Sequence, residues 1–446
     1  MKTMNSTKLD GDGFSSTVET QAGLGATLLI REPRSREKSN YIVDVIKSDG
    51  AISNVASCHN GRTVTLDYKT EFDSNPKFSA FRCYFFLVLH CLSGYYFGYS
   101  MTCLNNLGKP ILRDMGITDE KDISSSLGSL NLAFGITKVV ASILGGSYQK
   151  SVGKLNLLLI TEPLGIISTV LCCMGNIWVF SAGRVLNAFY LGFQSTCTPR
   201  LIMECFPTAR RGSCTAMYGF FVCLGTASSF CLGQFGDNNL QDYWRYMLIF
   251  PAVLSVVRIG AVLIFFPYDS PIHYTYRSVQ WKEKDPQRAR ENEAKADLLL
   301  EKFNKNQNDI VFEKKQLEEA VSDPSKAIEK GFIDMVKQNC LAIDKRWSFI
   351  AVIFFNGYSS WVGQVYLESY TSEIYGKLVD DKFGYTLTFY SAFPVIASGL
   401  CAVLFIEKLG RKTIIEITFF MQFACMWALA LAFYFNFINM AVVVNL

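Results

Sequence analysis

Histidine is scarce in this chain. Only His59, His90 and His273 occur among 446 residues. Metal catalysis therefore has few ligands to draw on. No His-Glu-x-x-His run, P-loop or Gly-x-Ser-x-Gly elbow is spelled anywhere. Charge is scarce as well. Asp, Glu, Lys and Arg make up 18% of the residues, against about 25% in a soluble domain. The net charge of +4 is too small to argue for nucleic acid. The 14 cysteines have no zinc or haem spacing. Cys83, Cys172, Cys173, Cys223 and Cys401 fall inside apolar runs and read as small packing residues. These absences predict no enzyme, no cofactor and no metal. Met1 to Gly13 is polar, so no cleavable signal peptide is read there.

What is present is apolar and concentrated. Hydrophobic residues make up 50% and aromatic residues 14%. A helix needs ~20 apolar residues to cross ~30 Å of hydrocarbon. Stretches of that kind fall near 82–103, 126–147, 156–176, 178–199, 213–234, 245–267, 347–370, 385–406 and 413–435. They do not alternate as the strands of a membrane barrel would. The reading is an all-α membrane protein of about nine transmembrane helices. Six of them form an N-terminal half over 81–267, and three form a partial second half over 347–446.

Two polar segments remain. Residues 1–80 are rich in Ser, Thr, Asn and Asp and are read as a disordered cytoplasmic tail. Residues 268–346 are read as a cytoplasmic linker with short amphipathic helices, over Glu291 to Phe303 and Phe312 to Val321. Basic loops set the orientation. Lys150 and Lys154, Arg200, Arg210 and Arg211, and Lys408, Arg411 and Lys412 share one side if the N-terminus is cytoplasmic. The opposite loops carry Asp114, Asp119, Glu120, Asp122, Asp237, Asp242, Asp380 and Asp381. Asn5-Ser6-Thr7 then spells a glycosylation sequon on the wrong side. The membrane itself, plasma or internal, is left open.

One short polar turn occurs twice. "GGSYQKSVGK" spans 145–154 and "FIEKLGRK" spans 405–412. A polar turn repeated six spans later points to a duplicated bundle of the transporter kind. Between spans 4 and 5 the chain reads "GRVLNAFYLGFQSTCTPRLIMECFPTARRGS", with Gly183-Arg184, Pro199, Glu204, Pro207 and Arg211-Gly212. "FFPYDSPIHY" follows span 6, and "YYFGYSMTCLN" lies in span 1. In order and spacing these segments resemble the sugar porter, glucose-transporter-like branch of the major facilitator superfamily. The resemblance covers roughly 80–435 and lacks counterparts of the last three spans.

The resemblance implies a cytoplasmic gate of ion pairs, carried to Arg184, Glu204, Arg211, Glu407, Gly410 and Arg411. Read from the residues alone, the same cations serve equally as positive-inside anchors. The first turn departs from the family. Lys150 stands where the family has Asp, and Ser151 where it has Arg. The sugar-binding amides are also replaced. Family glutamines fall on Gly219, Ser359 and Ser360, asparagines fall on Val365 and Val395, and the coupling Asp falls on Ser100. Polar candidates that remain for a substrate are Gln364, Ser359, Ser360, Asn356 and Gln194. Lys138 and Arg258 lie near mid-span and are read either as contacts for an anionic substrate or as partners of Glu162 or Glu368. His90 reads as a packed imidazole.

The function expected is transport of a small polar solute, a sugar or related compound, by facilitated diffusion through alternating access. The partners are that solute and the lipid bilayer, with oligomeric state open. The alternatives are a non-transporting paralogue acting as sensor or subunit, or a truncated transporter product.

Overall fold

The computed structural model describes residues 78–149, 151–233, 243–322 and 381–434, scattered positions between 346 and 371, and five strands between 6 and 58. The chain divides into two units, Met1–Phe72 and Asp73–Leu446.

The first unit departs from the expected disordered tail. It holds β1 (Ser6–Leu9), β2 (Gly13–Glu19), β3 (Gly25–Arg31), β4 (Tyr41–Ile46) and β5 (Ile52–Cys58). They form one antiparallel meander in chain order. Gly13 pairs with Arg31 and Glu19 with Gly25. Composition hid this. The stretch is polar on average, but "ATLLIR", "YIVDVI" and "ISNVASC" are β-branched runs separated by Gly, Asp and Asn. That pattern favours short strands joined by turns.

The second unit is helical. Its membrane part comprises α1 (Ala80–Asp114), α2 (Glu120–Tyr148), α3 (Lys154–Cys172), α4 (Ile177–Cys205), α5 (Arg211–Gly233), α6 (Tyr243–Phe265), α10 (Asp381–Leu409) and α11 (Arg411–Tyr434). These match expected spans 1–6, 8 and 9. Most of expected span 7 lies outside the described residues. Among the described residues, five helices are long and apolar enough to cross a membrane by length and composition, and they correspond to α2, α3, α5, α6 and α10. α1 and α4 are long but more polar. They carry Ser93, Ser100 and Asn106, and Arg184, Asn187, Gln194 and Thr198, all buried among other helices. Polar residues are tolerated at that depth when they face protein rather than lipid.

Local signals fix the ends. Ser79, Asp119 and Asn176 cap α1, α2 and α4 through their side-chain oxygens. α3 starts after Gly153 at φ 95° and α11 after Gly410 at φ 79°. The doubled turn is thus one backbone device used twice, a glycine in a conformation that side chains disfavour, followed at once by a basic residue.

Within the bundle α1 packs along α5, α3 and α2 pack on α4, and α5 packs along α10. The α1–α5 seam is close. A Cβ on Gly98 would meet the Val222 carbonyl, and one on Gly225 would meet the Tyr95 carbonyl. Paired glycines bring two backbones together as small residues do in membrane interfaces.

The linker holds α7 (Pro271–Trp281), α8 (Pro286–Phe303) and α9 (Gln307–Ser322). The last two cover Glu291 to Phe303 and Phe312 to Val321. α8 ends under the bundle. Leu299 and Phe303 join Phe86, Leu155, Phe206 and Phe266 in one buried cluster.

Candidate functional site

Polar side chains gather in three layers of the helical unit. The first lies at the helix ends that carry the basic loops. Lys154, the first residue of α3, pairs with Glu204 near the end of α4 at 2.7 Å. Asp269 accepts from the Leu155 amide at 3.0 Å and so caps the start of α3. Beside them, burial pushes the His273 imidazole below its ordinary range, while the Asp269 carboxylate pulls it back up. Arg211 reaches Glu313 of α9 at 2.6 Å and the Phe206 carbonyl at 3.0 Å. Glu313 also accepts from the Thr208 amide at 2.7 Å and from its hydroxyl. Glu407 of α10 accepts from the Ser213 hydroxyl at 2.6 Å and the Ser213 amide at 3.3 Å. Arg411 stands beside Gly212, 3.6 Å from where a Cβ there would lie.

The expected gate residues therefore split. Glu204 and Arg211 are tied within the first half and to the linker. Glu407 crosses from the second half to the first turn of α5. Gly410 shapes the turn. Arg184 requires a correction. It lies twenty residues before Glu204 on the same helix, ~30 Å away at 1.5 Å per residue, toward the other end of the bundle. It is buried, donates to the Ser100 carbonyl at 3.1 Å, and lies over the Phe134 ring at 4.3 Å. It braces α1, α2 and α4 rather than closing the end with the basic loops.

The second layer is mid-bundle. Arg258 of α6 forms an ion pair with Glu162 of α3 and donates to Gln194 of α4 at 3.2 Å. Gln194 donates to Glu162 at 3.1 Å, and so does the Tyr190 hydroxyl at 3.1 Å. Arg258 is 3% exposed, Glu162 1% and Gln194 0%. These three are enclosed among α3, α4 and α6, so Arg258 and Gln194 are engaged internally rather than presented to a solute. The pairing of Arg258 with Glu162 is one of the two readings of that residue. His90 packs on Phe86 at 4.3 Å and is buried.

The third layer is looser. Lys138 of α2 is half-buried, with its ammonium over the Phe97 ring at 4.6 Å and 3.7 Å from the Met101 sulfur. Asn131 of α2 donates to the Tyr370 hydroxyl at 3.1 Å. That contact links the first half to a residue at the far end of expected span 7. Gln364, Ser359, Ser360 and Asn356 lie outside the described residues. Among the described residues no group of three or more His, Cys, Asp or Glu converges to hold a metal ion.

Three partners went unread in sequence: Glu313, Ser213 and Tyr370. Glu313 left a signal. It shares one helical face with Leu317 and Val321, all three buried, and a carboxylate on an apolar stripe asks for a cation. Ser213 and Tyr370 left none.

Long helices in this order, joined by a polar helical linker and duplicated basic turns, define an integral membrane protein of the major facilitator type. The family model described as "Sugar (and other) transporter" matches residues 84–444, and the chain belongs to that family. It is 23% identical over 374 residues to Hexose transporter 1 of Plasmodium falciparum, covering 78% of this chain and 70% of that one. It is 20% identical over 346 residues to the Plasmodium knowlesi protein of the same name, covering 74% of this chain and 66% of that one. Among solved structures, the proton:xylose symporter XylE bound to 6-bromo-6-deoxy-D-glucose matches with a TM-score of 0.65 at 18% identity, covering 82% of this chain and 79% of that one. The inward-open xylose transporter XylE from E. coli matches with a TM-score of 0.59 at 16% identity, covering 81% and 78%. At those identities the structural matches speak for the fold alone.

Proposed function

We propose that this protein carries a small polar solute, a sugar or a chemically similar polyol, across a membrane by alternating access, with its N-terminus cytoplasmic. What supports the reading most is the family match running through both halves. The halves also touch at both ends of the bundle, through Glu407 with Ser213 and through Asn131 with Tyr370. Such contacts must break in turn when a site between two halves opens to one side and then the other. The same match does not favour a non-transporting sensor or subunit. It is not an enzyme reading either, since members of this family move solutes.

Coupling to protons is not part of the proposal. Where the resemblance places a coupling carboxylate this chain has Ser100, which offers no titrating group and whose backbone carbonyl accepts from Arg184. Uptake by the purified full chain in liposomes, measured with a panel of hexoses, pentoses and polyols, tests both statements. Uptake of at least one of them should survive a protonophore unchanged. No uptake of any member overturns the solute class, and loss of uptake with the proton gradient overturns the uncoupled mechanism.

The Glu407–Ser213 contact gives a finer prediction. It is exposed, so its worth is about 0.5–1 kcal/mol. Ser213→Ala and Glu407→Gln should each move the ratio of the two facing states about two- to five-fold. Faster hydrogen exchange at the first turn of α5 would report the shift, and unchanged exchange would refute it.

A further inference from the structure

A cleft of about 450 Å³ opens at the end of the bundle that carries the basic loops, where α1 begins, α6 ends and α8 tucks beneath them. It belongs neither to the ion pairs of that layer nor to the buried Glu162–Arg258 pair. Arg82, Phe265, Phe266, Tyr268, Lys302 and Phe303 form most of its wall.

Its chemistry is two-sided. Arg82 and Lys302 have no carboxylate within ion-pair distance among the described residues. The Lys302 ammonium lies over the Tyr268 ring at 4.4 Å, held there by a ring face rather than a counter-charge. Asp269 is the one carboxylate among the lining residues, and it is turned away. It is 4% exposed and accepts from the Leu155 amide at 3.0 Å and the Ser270 amide at 2.6 Å. The surface beside the cleft is apolar and aromatic. Phe81 and Ile264 are 78% and 74% exposed, and Phe85 stacks on Phe81 at 6.0 Å and meets Phe265 edge-on at 5.4 Å. In a bilayer, aromatic rings at a span end sit at headgroup depth, and exposed apolar residues just beyond face acyl chains.

We propose that this cleft binds an anionic phospholipid of the adjoining leaflet. The headgroup phosphate sits between Arg82 and Lys302, and the acyl chains run along the exposed Tyr84, Val88 and Ile264. Two cations without a carboxylate partner among the described residues, lining a cleft beside an exposed apolar surface, match a charged headgroup joined to hydrocarbon. A soluble anion matches only the first of these features. The Cys83 thiol, 3.7 Å from the Lys302 carbonyl, ties α1 to the end of α8, so an occupied cleft would also hold the linker against the bundle.

The test is native mass spectrometry of the full chain in detergent, offered equal amounts of phosphatidic acid, phosphatidylserine and phosphatidylcholine. The wild-type chain should retain the anionic lipids about tenfold over phosphatidylcholine. Arg82→Gln with Lys302→Gln should bring that ratio to about twofold or less, while Arg82→Lys with Lys302→Arg should keep it. Lys315→Gln, a cation on the exposed face of α9 outside the cleft, should leave it unchanged. If the double glutamine variant does not fold, Lys302→Gln alone must lower the ratio at least about threefold, since that side chain makes no hydrogen bond among the described residues. The proposal fails if the glutamine variants keep the wild-type ratio, or if the lysine–arginine exchange loses it as fully as glutamine does. It fails also if millimolar inorganic phosphate strips the adducts as well as competing lipid does, which would assign the cleft to free phosphate.

Discussion

Replacing Arg258 by leucine should cost the folded bundle about 3–5 kcal/mol and leave little protein in the membrane fraction. The reason is what stays behind. Glu162 is buried and would be left with Tyr190 and Gln194 as its donors among the described residues. An ionised carboxylate without its cation in a low-dielectric interior is among the most costly single defects a fold can carry. Removing both charges is a different experiment. Glu162→Gln with Arg258→Met keeps an acceptor for Tyr190 and fills the space of the guanidinium. It should recover most of the stability, as paired replacements of buried ions commonly do. Thermal unfolding of the purified variants separates the outcomes. Arg258→Leu as stable as wild type, with uptake of anionic solutes lost, would return Arg258 to the substrate-contact role and overturn the structural one.

The second large effect is expected at the α1–α5 seam. Gly225→Val places a methyl-bearing carbon against the Tyr95 carbonyl, and Gly98→Val against the Val222 carbonyl. Both obstacles are backbone, so no rotamer change relieves them. Overpacking typically costs 1–3 kcal/mol where side chains can yield. Here the helices themselves must separate, and the cost should exceed about 3 kcal/mol. The control is Gly260→Ala on α6, where an added Cβ meets nothing within 4 Å. That change should be neutral or stabilising by up to about 1 kcal/mol, because alanine is the better helix former. Size-exclusion profiles of the solubilised variants should show the valine variants aggregated and the alanine variant monodisperse. Valine at position 225 with a wild-type profile would mean the seam is not closely packed.

Much of the architecture was legible because the bilayer imposes a length on apolar runs and a sign on the loops between them. Those constraints act on averages and survive without any knowledge of contacts. The linker helices were legible for a related reason, since "ARENEAKADLLLEKF" carries its periodicity openly. The strands between Ser6 and Cys58 were not, because their signal is local alternation diluted by polar turns. The candidate site was legible in part. Charged residues near mid-span announced that partners must exist, and Glu162 was among the partners weighed for Arg258. Arg184 was misplaced because a motif gives spacing along a helix but not the depth at which each member is used. Arg211 was drawn toward the second half by the resemblance, while in three dimensions the nearer carboxylate is Glu313, a hundred residues on and in a segment whose motif content is nil.

The contact between α5 and α10 has a mechanical meaning. At one end Ser213 meets Glu407. Further along, Cys223 meets Gly399. Further still, Ala227 and Phe230 meet Ala392 and Ile396. The partners advance on one helix as they recede on the other, so the two run antiparallel in register like the leaves of a door along its pin. A joint fastened along its length resists being pulled apart and resists sliding. What it leaves least restrained is swing about its own line.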